Sequence, residues 1–438
     1  MPDHALVVGL GVTGEAVTRQ LVARGARVSV ADDRMTPALA ERVTGLGARP
    51  ADPASPLAGV DLVLPSPGVP FAHPVATEAR ERGLPVWSEL ELAAAWDDRP
   101  TVAITGTNGK TTVTTLVTAM LAEAGRPVVA AGNNELPLVD ALDRADVELF
   151  VVEASSFRLQ YVERYRPVVA AWLNLSPDHL DWHPSVEHYA AAKAGIWAAQ
   201  RDDDLAVVNA EDPEVMRWAA GAPGRVETFG LATGDARVAG GELRAADGSV
   251  LARVGDLPRR LPHDLANALA ASSVALAAGG TVAACRSVLE RFEGLPHRVR
   301  LVGEAGGVRW YDDSKATTPA SVVTAVGGFD SVVLVAGGRN KGLDFSPLGR
   351  LAPRLRGVVA IGESAPLVES VFRAAAPAVP VVVAGSMDEA VSRAGAMARP
   401  GDAVLLSPGG ASQDWYRNYE ERGDDFARAV AARLAVAG

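Results

Sequence analysis

The 438-residue chain, 48% hydrophobic and 22% charged, is long enough for two or three domains, each with its own core. Its net charge of −11 argues against general nucleic-acid binding, and no apolar run reaches membrane-spanning length. The single cysteine, Cys285, excludes an intramolecular disulfide and a cysteine metal cluster; with an N-terminus unlike a signal peptide, this points to the cytoplasm.

Residues 1–97 alternate strand and helix patterns. Ala5 to Val8 reads as a strand, followed by Gly9-Leu10-Gly11-Val12-Thr13-Gly14 and a helix to about Arg24. Strands over 27–31, ending at Asp32-Asp33, and over 61–64, running into Ser66-Pro67-Gly68, complete a Rossmann-like unit. A G-x-G-x-x-G loop with an acid about 20 residues later reads, alone, as a dinucleotide-dependent dehydrogenase or as packing glycines with no ligand. Asp97-Asp98-Arg99-Pro100 is a polar break, which places a boundary after residue 97.

Residues 98–294 open with a β-branched run from Thr101 to Ile104 and a turn, Thr105-Gly106-Thr107-Asn108-Gly109. Lys110-Thr111-Thr112 then begins a helix with apolar Val113, Leu116, Val117 and Met120. Strand, glycine loop and helix form a phosphate cradle: backbone N–H groups and the helix N-terminus face the anion, and Lys110 adds a point charge. A hydroxyl of Thr111 or Thr112 is placed for Mg²⁺. The usual P-loop has an earlier glycine where this chain has Ile104, so the loop is a shortened variant.

A strand over 148–152 ends in Glu153-Ala154-Ser155-Ser156, and one over 168–173 runs into the segment Asn174 to His183. Acids and a histidine at such strand ends converge on a nucleotide in an open α/β sheet, which makes Glu153 and His179 candidate Mg²⁺ ligands. Asp178 and Asp181 read as turn and helix caps. Lys193 lies on a helix expected over 186–199 and, taken alone, reads as a solvated lysine. Residues 223–260 read as a β excursion, and Asn267 as either a cap-region polar residue or a base contact. Cys285 reads as packing. Gly294-Leu295-Pro296 marks the second boundary.

Residues 295–438 alternate strands over 332–335, 357–361, 381–383 and 403–406 with helices, forming a second Rossmann-like domain. Its strand-end loops carry Lys315, Lys341 and Ser412, a set suited to carboxylate or phosphate groups. The fold class is therefore α/β in three domains: Rossmann-like 1–97, P-loop 98–294 and Rossmann-like 295–438.

Several blocks together resemble the Mur ligase family over nearly the whole chain. They are T-G-T-N-G-K-T-T at 105–112, D-H-L-D-W-H at 178–183, Y-A-A-A-K at 189–193, P-H-R at 296–298, D-D-S-K-A-T at 312–317 and the tail Glu420-Glu421-Arg422-Gly423. The resemblance replaces the dehydrogenase reading with an ATP-dependent amide-forming ligase. It implies UDP-N-acetylmuramoyl-L-alanine and glutamate as substrates of a monomer active in cytoplasmic peptidoglycan synthesis, with no nucleic acid or membrane partner.

Residue by residue, the resemblance implies ATP contacts from Gly106, Thr107, Asn108, Gly109, Lys110, Thr111, Thr112, Asn267, Arg298 and Asp313. It implies two Mg²⁺ ions served by Thr111, Glu153, His179 and a carbamylated Lys193, with Lys110, His179 and Lys193 catalytic. The UDP substrate falls to Val12, Thr13, Asp32, Ser66, Gly68, Asn133 and Ser155, and glutamate to Lys315, Thr317, Lys341, Ser412 and Tyr419. The resemblance implies addition of D-glutamate through an acyl phosphate; because this chain departs from the family pattern at Thr318, Gly409, Gly410 and Gln413, a ligase adding L-glutamate or another amino acid, or a nucleotide-binding protein without ligase activity, is the alternative.

Overall fold

A computed structural model of the chain describes residues 2–133, 136–180 and 182–437. Among these residues three separate sheets form. The first comprises β1 (His4–Val8), β2 (Arg27–Ala31), β3 (Arg49–Pro50) and β4 (Leu62–Pro65), all parallel in the order β3-β2-β1-β4. Continuous apolar runs such as Leu6-Val7-Val8 suit a sheet covered on both faces, and β1 is wholly buried. The helix Val12–Ala23 follows β1 so closely that a Cβ at Gly14 would stand 2.0 Å from the Gly9 carbonyl oxygen. The third glycine of the loop is thus a packing requirement.

The second sheet holds β5 (Thr101–Thr105), β6 (Val128–Gly132), β7 (Leu149–Glu153), β8 (Pro167–Trp172), β9 (Leu205–Asn209), β10 (Arg225–Gly230), β11 (Ala236–Ala239), β12 (Glu242–Arg244) and β13 (Val250–Arg253). Its order is β13-β12-β11-β10-β9-β8-β5-β7-β6. It is parallel from β6 to β11 and closes with antiparallel β11, β12 and β13, which is the excursion expected over 223–260. β5, which leads into the glycine loop, lies between β7 and β8, so the loops after all three strands open at one end of the sheet. The helix expected over 186–199 is shorter: Val186–Ala194 is α-helical, and a 3₁₀ turn, Gly195–Trp197, completes it. The first two sheets share one apolar core, in which Val7 and Val30 join Phe150 and Trp172.

Two carboxylates fasten these sheets together. The helix Glu89–Ala94, capped by Ser88, reads Glu-Leu-Glu-Leu, and both acids are buried. Glu91 accepts from the amides of Glu163, Arg164 and Tyr165 at 2.8–3.0 Å. Glu89 accepts from the amides of Leu138 and Val139 and from Arg158 Nε at 3.1 Å. A buried carboxylate is tolerated only when its lone pairs are filled, and here backbone amides fill them.

The third sheet has β14 (Arg300–Ala305), β15 (Val308–Asp312), β16 (Val332–Gly337), β17 (Leu355–Ile361), β18 (Val381–Ala384) and β19 (Ala403–Gly409), in the order β14-β15-β19-β16-β17-β18. All neighbours are parallel except β14 with β15. By contacts the chain divides into two compact units, Met1–Pro258 with Asp264–Arg291, and Arg259–His263 with Phe292–Gly438. Among the described residues no helix is long and apolar enough to cross a membrane.

Candidate active site

The glycine loop at the end of β5 is held open by two backbone conformations that side chains resist. Gly106 has φ +152° and Gly109 φ +87°. A Cβ at Gly109 would also stand 2.6 Å from Asn267 Oδ1, so glycine is what lets the helix Pro262–Ala277 present Asn267 against the loop. Asn174 clasps Asn108 from the end of β8: its Oδ1 accepts from the Asn108 amide at 2.8 Å, and its Nδ2 donates to the Asn108 carbonyl at 3.0 Å. Thr107 Oγ1 lies 3.2 Å from the Tyr189 hydroxyl. Gly109 is the N-cap of the helix Lys110–Glu123 and brings no side-chain cap. Its first-turn amides, at Lys110, Thr111 and Thr112, lie at the positive end of the helix, an environment that favours an anion.

Two lysines converge on one carbonyl. Lys110 Nζ donates to the Gly106 carbonyl at 2.9 Å and to Thr107 at 3.0 Å, and Lys193 Nζ donates to the same Gly106 oxygen at 2.8 Å. Lys193, 1% exposed, is not the solvated lysine that its position alone suggested. Burial first, then the charge of Lys110, holds its amine well below the ordinary lysine range. The Tyr189 ring lies 4.5 Å from the Lys193 amine and 6.2 Å from the His179 ring. His179 itself has φ +54° and is 43% exposed at its side chain, with Asp178 Oδ2 3.5 Å away. Asp178 caps the turn by accepting from the His179 amide at 2.8 Å, whereas the cap read at Asp181 lies outside the described residues.

Glu153, at the end of β7, is buried, and its Oε1 accepts from Asn133 Nδ2 at 3.0 Å. Its Oε2 is buried without a hydrogen-bond partner, an acceptor placed where a cation or donor belongs. That oxygen fits a Mg²⁺ ion. Among the described residues, however, no three His, Cys, Asp or Glu side chains form a ready metal cage, so phosphate oxygens and water would complete the coordination, as Mg²⁺ prefers.

In the N-terminal part of the same unit, a cavity of about 480 Å³ opens above β1 and β4. Val12, Thr13, Asp32, Ser66, Gly68 and Asn133 line it, and Ser155 does not. Asp32 Oδ2 accepts from the Leu10 amide at 3.1 Å and Ser66 Oγ donates to the Gly9 carbonyl at 2.6 Å, so both shape the glycine loop. Arg158, also in the lining, is the residue that sequence reasoning missed. It follows Ser155-Ser156-Phe157 at a strand end, and nothing in the local pattern marks it.

In the other compact unit, the ends of β15 and β19 assemble a polar cluster. His297 Nδ1 lies 2.7 Å from Asp312 Oδ2. Asp313 accepts from Ser407 Oγ at 2.8 Å and from the Val299 amide at 3.3 Å, and burial pushes its carboxyl up to about 7 although Arg298 lies close. Lys315 Nζ sits 3.7 Å over the Tyr419 ring. Thr317 is half-buried, Lys341 is exposed on its loop, and Ser412 is buried and turns the chain by accepting from the amides of Trp415 and Tyr416.

A second missed residue organises this cluster. Arg422 is 1% exposed and donates to Ser314 Oγ (2.9 Å), the Ser314 carbonyl (2.7 Å) and the Gly410 carbonyl (3.0 Å). Burial lowers its guanidinium to about 10, so it stays charged at neutral pH. The departures have local reasons. Thr318 caps the helix Pro319–Gly327 by accepting from the Ser321 amide, and Gly409 takes φ +74°. Cys285 is fully buried and its thiol is pushed up to about 11, as a packing residue's would be.

Comparison with known proteins extends over nearly the full length. Residues 3–88 match the family model of the MurD-like N-terminal domain of Mur ligases, 104–275 the Mur ligase middle domain, and 297–410 the Mur ligase glutamate ligase domain. A UDP-N-acetylmuramoylalanine–D-glutamate ligase of Frankia casuarinae is 45% identical, covering 98% of this chain and 94% of the relative. One of Anaeromyxobacter dehalogenans is 41% identical over 96% of each. Among solved structures, MurF of Acinetobacter baumannii superposes with a TM-score of 0.64 at 20% identity, covering 97% of this chain and 90% of that one. MurC of Thermotoga maritima superposes with a TM-score of 0.58 at 18% identity, covering all of both chains, and the two structures show the fold alone.

Proposed function

The chain belongs to the Mur ligase family, and we propose that it uses ATP to join D-glutamate to UDP-N-acetylmuramoyl-L-alanine in peptidoglycan precursor synthesis. The observation that carries this reading is the near-full-length likeness to D-glutamate ligases, combined with a phosphate loop on which two lysines converge. The departures at Thr318 and Gly409 keep a cap and a turn, so they give no separate support to another amino acid.

A carboxylate resists amide formation because oxide is a prohibitive leaving group. In the proposed reaction, a carboxylate oxygen of the alanine attacks the γ-phosphorus of ATP and ADP departs, leaving an acyl phosphate. The glutamate amine then attacks the acyl carbon, losing a proton, and inorganic phosphate leaves. The loop amides and Lys110 would hold the β- and γ-phosphates and meet the charge that develops in transfer. For this, Lys110 would exchange its two carbonyl acceptors for phosphate oxygens. Asn267 would face the nucleotide base, and Arg298 and Asp313 are further residues that we assign to ATP. Thr111, Glu153, His179 and Lys193 would hold two Mg²⁺ ions, whose chemistry is to neutralise phosphate charge. Carbamylation of Lys193 would turn a buried amine into a carboxylate ligand.

The cavity beside Thr13 and Asn133 would take the UDP moiety, and Lys315, Thr317, Lys341, Ser412 and Tyr419 the glutamate. With these roles, 1–97 is the UDP-substrate domain, 98–294 the ATP domain and 295–438 the amino-acid domain of a cytoplasmic monomer. Purified protein given ATP, Mg²⁺ and UDP-N-acetylmuramoyl-L-alanine should release phosphate with D-glutamate and far less with L-glutamate or other amino acids. Equal release with L-glutamate, or none with either enantiomer, overturns the reading.

A further inference from the structure

Arg158 is 5% exposed, and its fork meets three different parts of the fold. Nε donates to Glu89 Oε2 at 3.1 Å, Nη1 to Asn133 Oδ1 at 2.9 Å and Nη2 to Thr13 Oγ1 at 2.9 Å. A guanidinium has five N–H donors, so each terminal nitrogen keeps one N–H beyond those three bonds. Thr13, Asn133 and Arg158 all line the N-terminal cavity. Thr13 stands in the first turn of the helix Val12–Ala23, whose N-terminus is itself an anion site. The central sheet thereby adds a buried cation to an anion site formed by the first sheet.

The same contacts lead away from the cavity. With its Oδ1 on Arg158, Asn133 must turn its Nδ2 the other way, where it donates to Glu153 Oε1 at 3.0 Å. Its amide cannot flip without breaking both bonds. Glu153 is therefore oriented by a relay of Thr13, Arg158 and Asn133, and the product of that orientation is the partnerless Oε2.

We propose that Arg158 is a positioning residue that couples occupancy of the N-terminal cavity by an anionic nucleotide-sugar to cation binding at Glu153. This rests on the function proposed above. An anion at the Val12–Ala23 N-terminus takes the spare N–H groups and fixes the guanidinium plane, which fixes Asn133 and then Glu153. Coupling is reciprocal, so nucleotide-sugar tightens the cation and the cation tightens nucleotide-sugar by one factor. Only a planar fork can meet Glu89, Asn133, Thr13 and an anion together; a lysine is a single point charge.

The test measures Mn²⁺ binding by paramagnetic resonance, with a non-hydrolysable ATP analogue present, with and without UDP-N-acetylmuramoyl-L-alanine. In the native protein the nucleotide-sugar should tighten Mn²⁺ by about 5-fold or more. Arg158→Lys should lose that factor even when Mn²⁺ binding is read at nucleotide-sugar concentrations that saturate the variant, as set by its own calorimetric affinity. Among the described residues Arg158 is the cation paired with buried Glu89, so Glu89→Gln/Arg158→Gln removes the pair together and should also bring the factor to about 1. A native factor of 1, or an unchanged factor in both variants, overturns the coupling while leaving the function standing. Native protein that binds no nucleotide-sugar in calorimetry overturns the function itself, and the coupling with it.

Discussion

Both compact units hold buried or half-buried cations on backbone carbonyls, yet they do so with opposite consequences. At the glycine loop, Lys110 and Lys193 share the Gly106 oxygen, each by a single ammonium contact on a flexible stem. Such contacts exchange readily for phosphate or a new ligand, and the charge on Lys110 disfavours a second one on Lys193. At the C-terminal cluster, Arg422 spreads three bonds from one rigid plane over Ser314 and Gly410, and thereby ties the loop carrying Lys315 to the loop carrying Ser412. The first arrangement is poised to change partners, and the second keeps two loops in register. A cation's role here follows from the geometry of its donors more than from its burial, since Lys193 and Arg422 are equally inaccessible at 1% exposure.

That contrast can be broken at either end. Lys110→Ala and Lys193→Ala should each cut phosphate release by on the order of 10³-fold, because Lys110 meets phosphate charge in the transition state and a carbamylated Lys193 would hold the metal ion that does so too. Short carboxylic acids should partly rescue only Lys193→Ala; full activity in that variant would remove the carbamate. Lys110→Ala should leave the melting temperature near native, since Lys193 still donates to the Gly106 carbonyl.

Arg422→Met should do the reverse. It leaves the Ser314 and Gly410 carbonyls unsatisfied and should destabilise the second unit by about 1–3 kcal/mol for each, the cost of a buried acceptor without a donor. Denaturant unfolding reads this directly, and a native midpoint would show that Arg422 does not hold the loops. Arg422→Lys should fold and raise the KM for glutamate while leaving ATP affinity near native.

Asp313 gives the same unit a pH signature. Its carboxyl, at about 7 when folded against an ordinary 3.8, keeps its proton in the fold after the unfolded chain has lost it. Between those values the folded state binds more protons, so stability from this group is present at acid pH and falls as pH rises through the window. The change is at most about 4 kcal/mol at 1.36 kcal/mol per unit. Asp313→Asn should flatten the stability profile between pH 4 and 7 (the window set by those two values); an unchanged slope would put the dependence elsewhere. The smallest effect belongs to Gly109→Ala, which forces a side chain to φ +87° beside Asn267. The left-handed backbone costs about 1–2 kcal/mol, visible as weaker binding of ATP analogues in calorimetry.

Much of this protein was legible along the chain, because the signals involved are local. Apolar runs between glycine and proline breaks gave the alternation of strands and helices, and Gly-Lys-Thr after a β-branched run marked the glycine turn and the start of the helix at Lys110, since strand, turn and helix start are all set by neighbours in sequence. Helix ends were less well defined: the helix at Val186 stops as an α-helix at Ala194 and not at Ala199, a matter of packing that periodicity does not report.

What the tertiary structure alone decided lies in contacts between distant residues. Lys193 looked solvated until the fold brought it to Gly106, 87 positions away, and stripped it of water. Arg158 reaches Thr13 across 145 positions, and Arg422 reaches Ser314 across 108. Charged side chains are ambiguous in sequence, because the same arginine can be solvated or the centre of a relay. Desolvation settles which, and desolvation is a property of the packed fold and not of any stretch of chain.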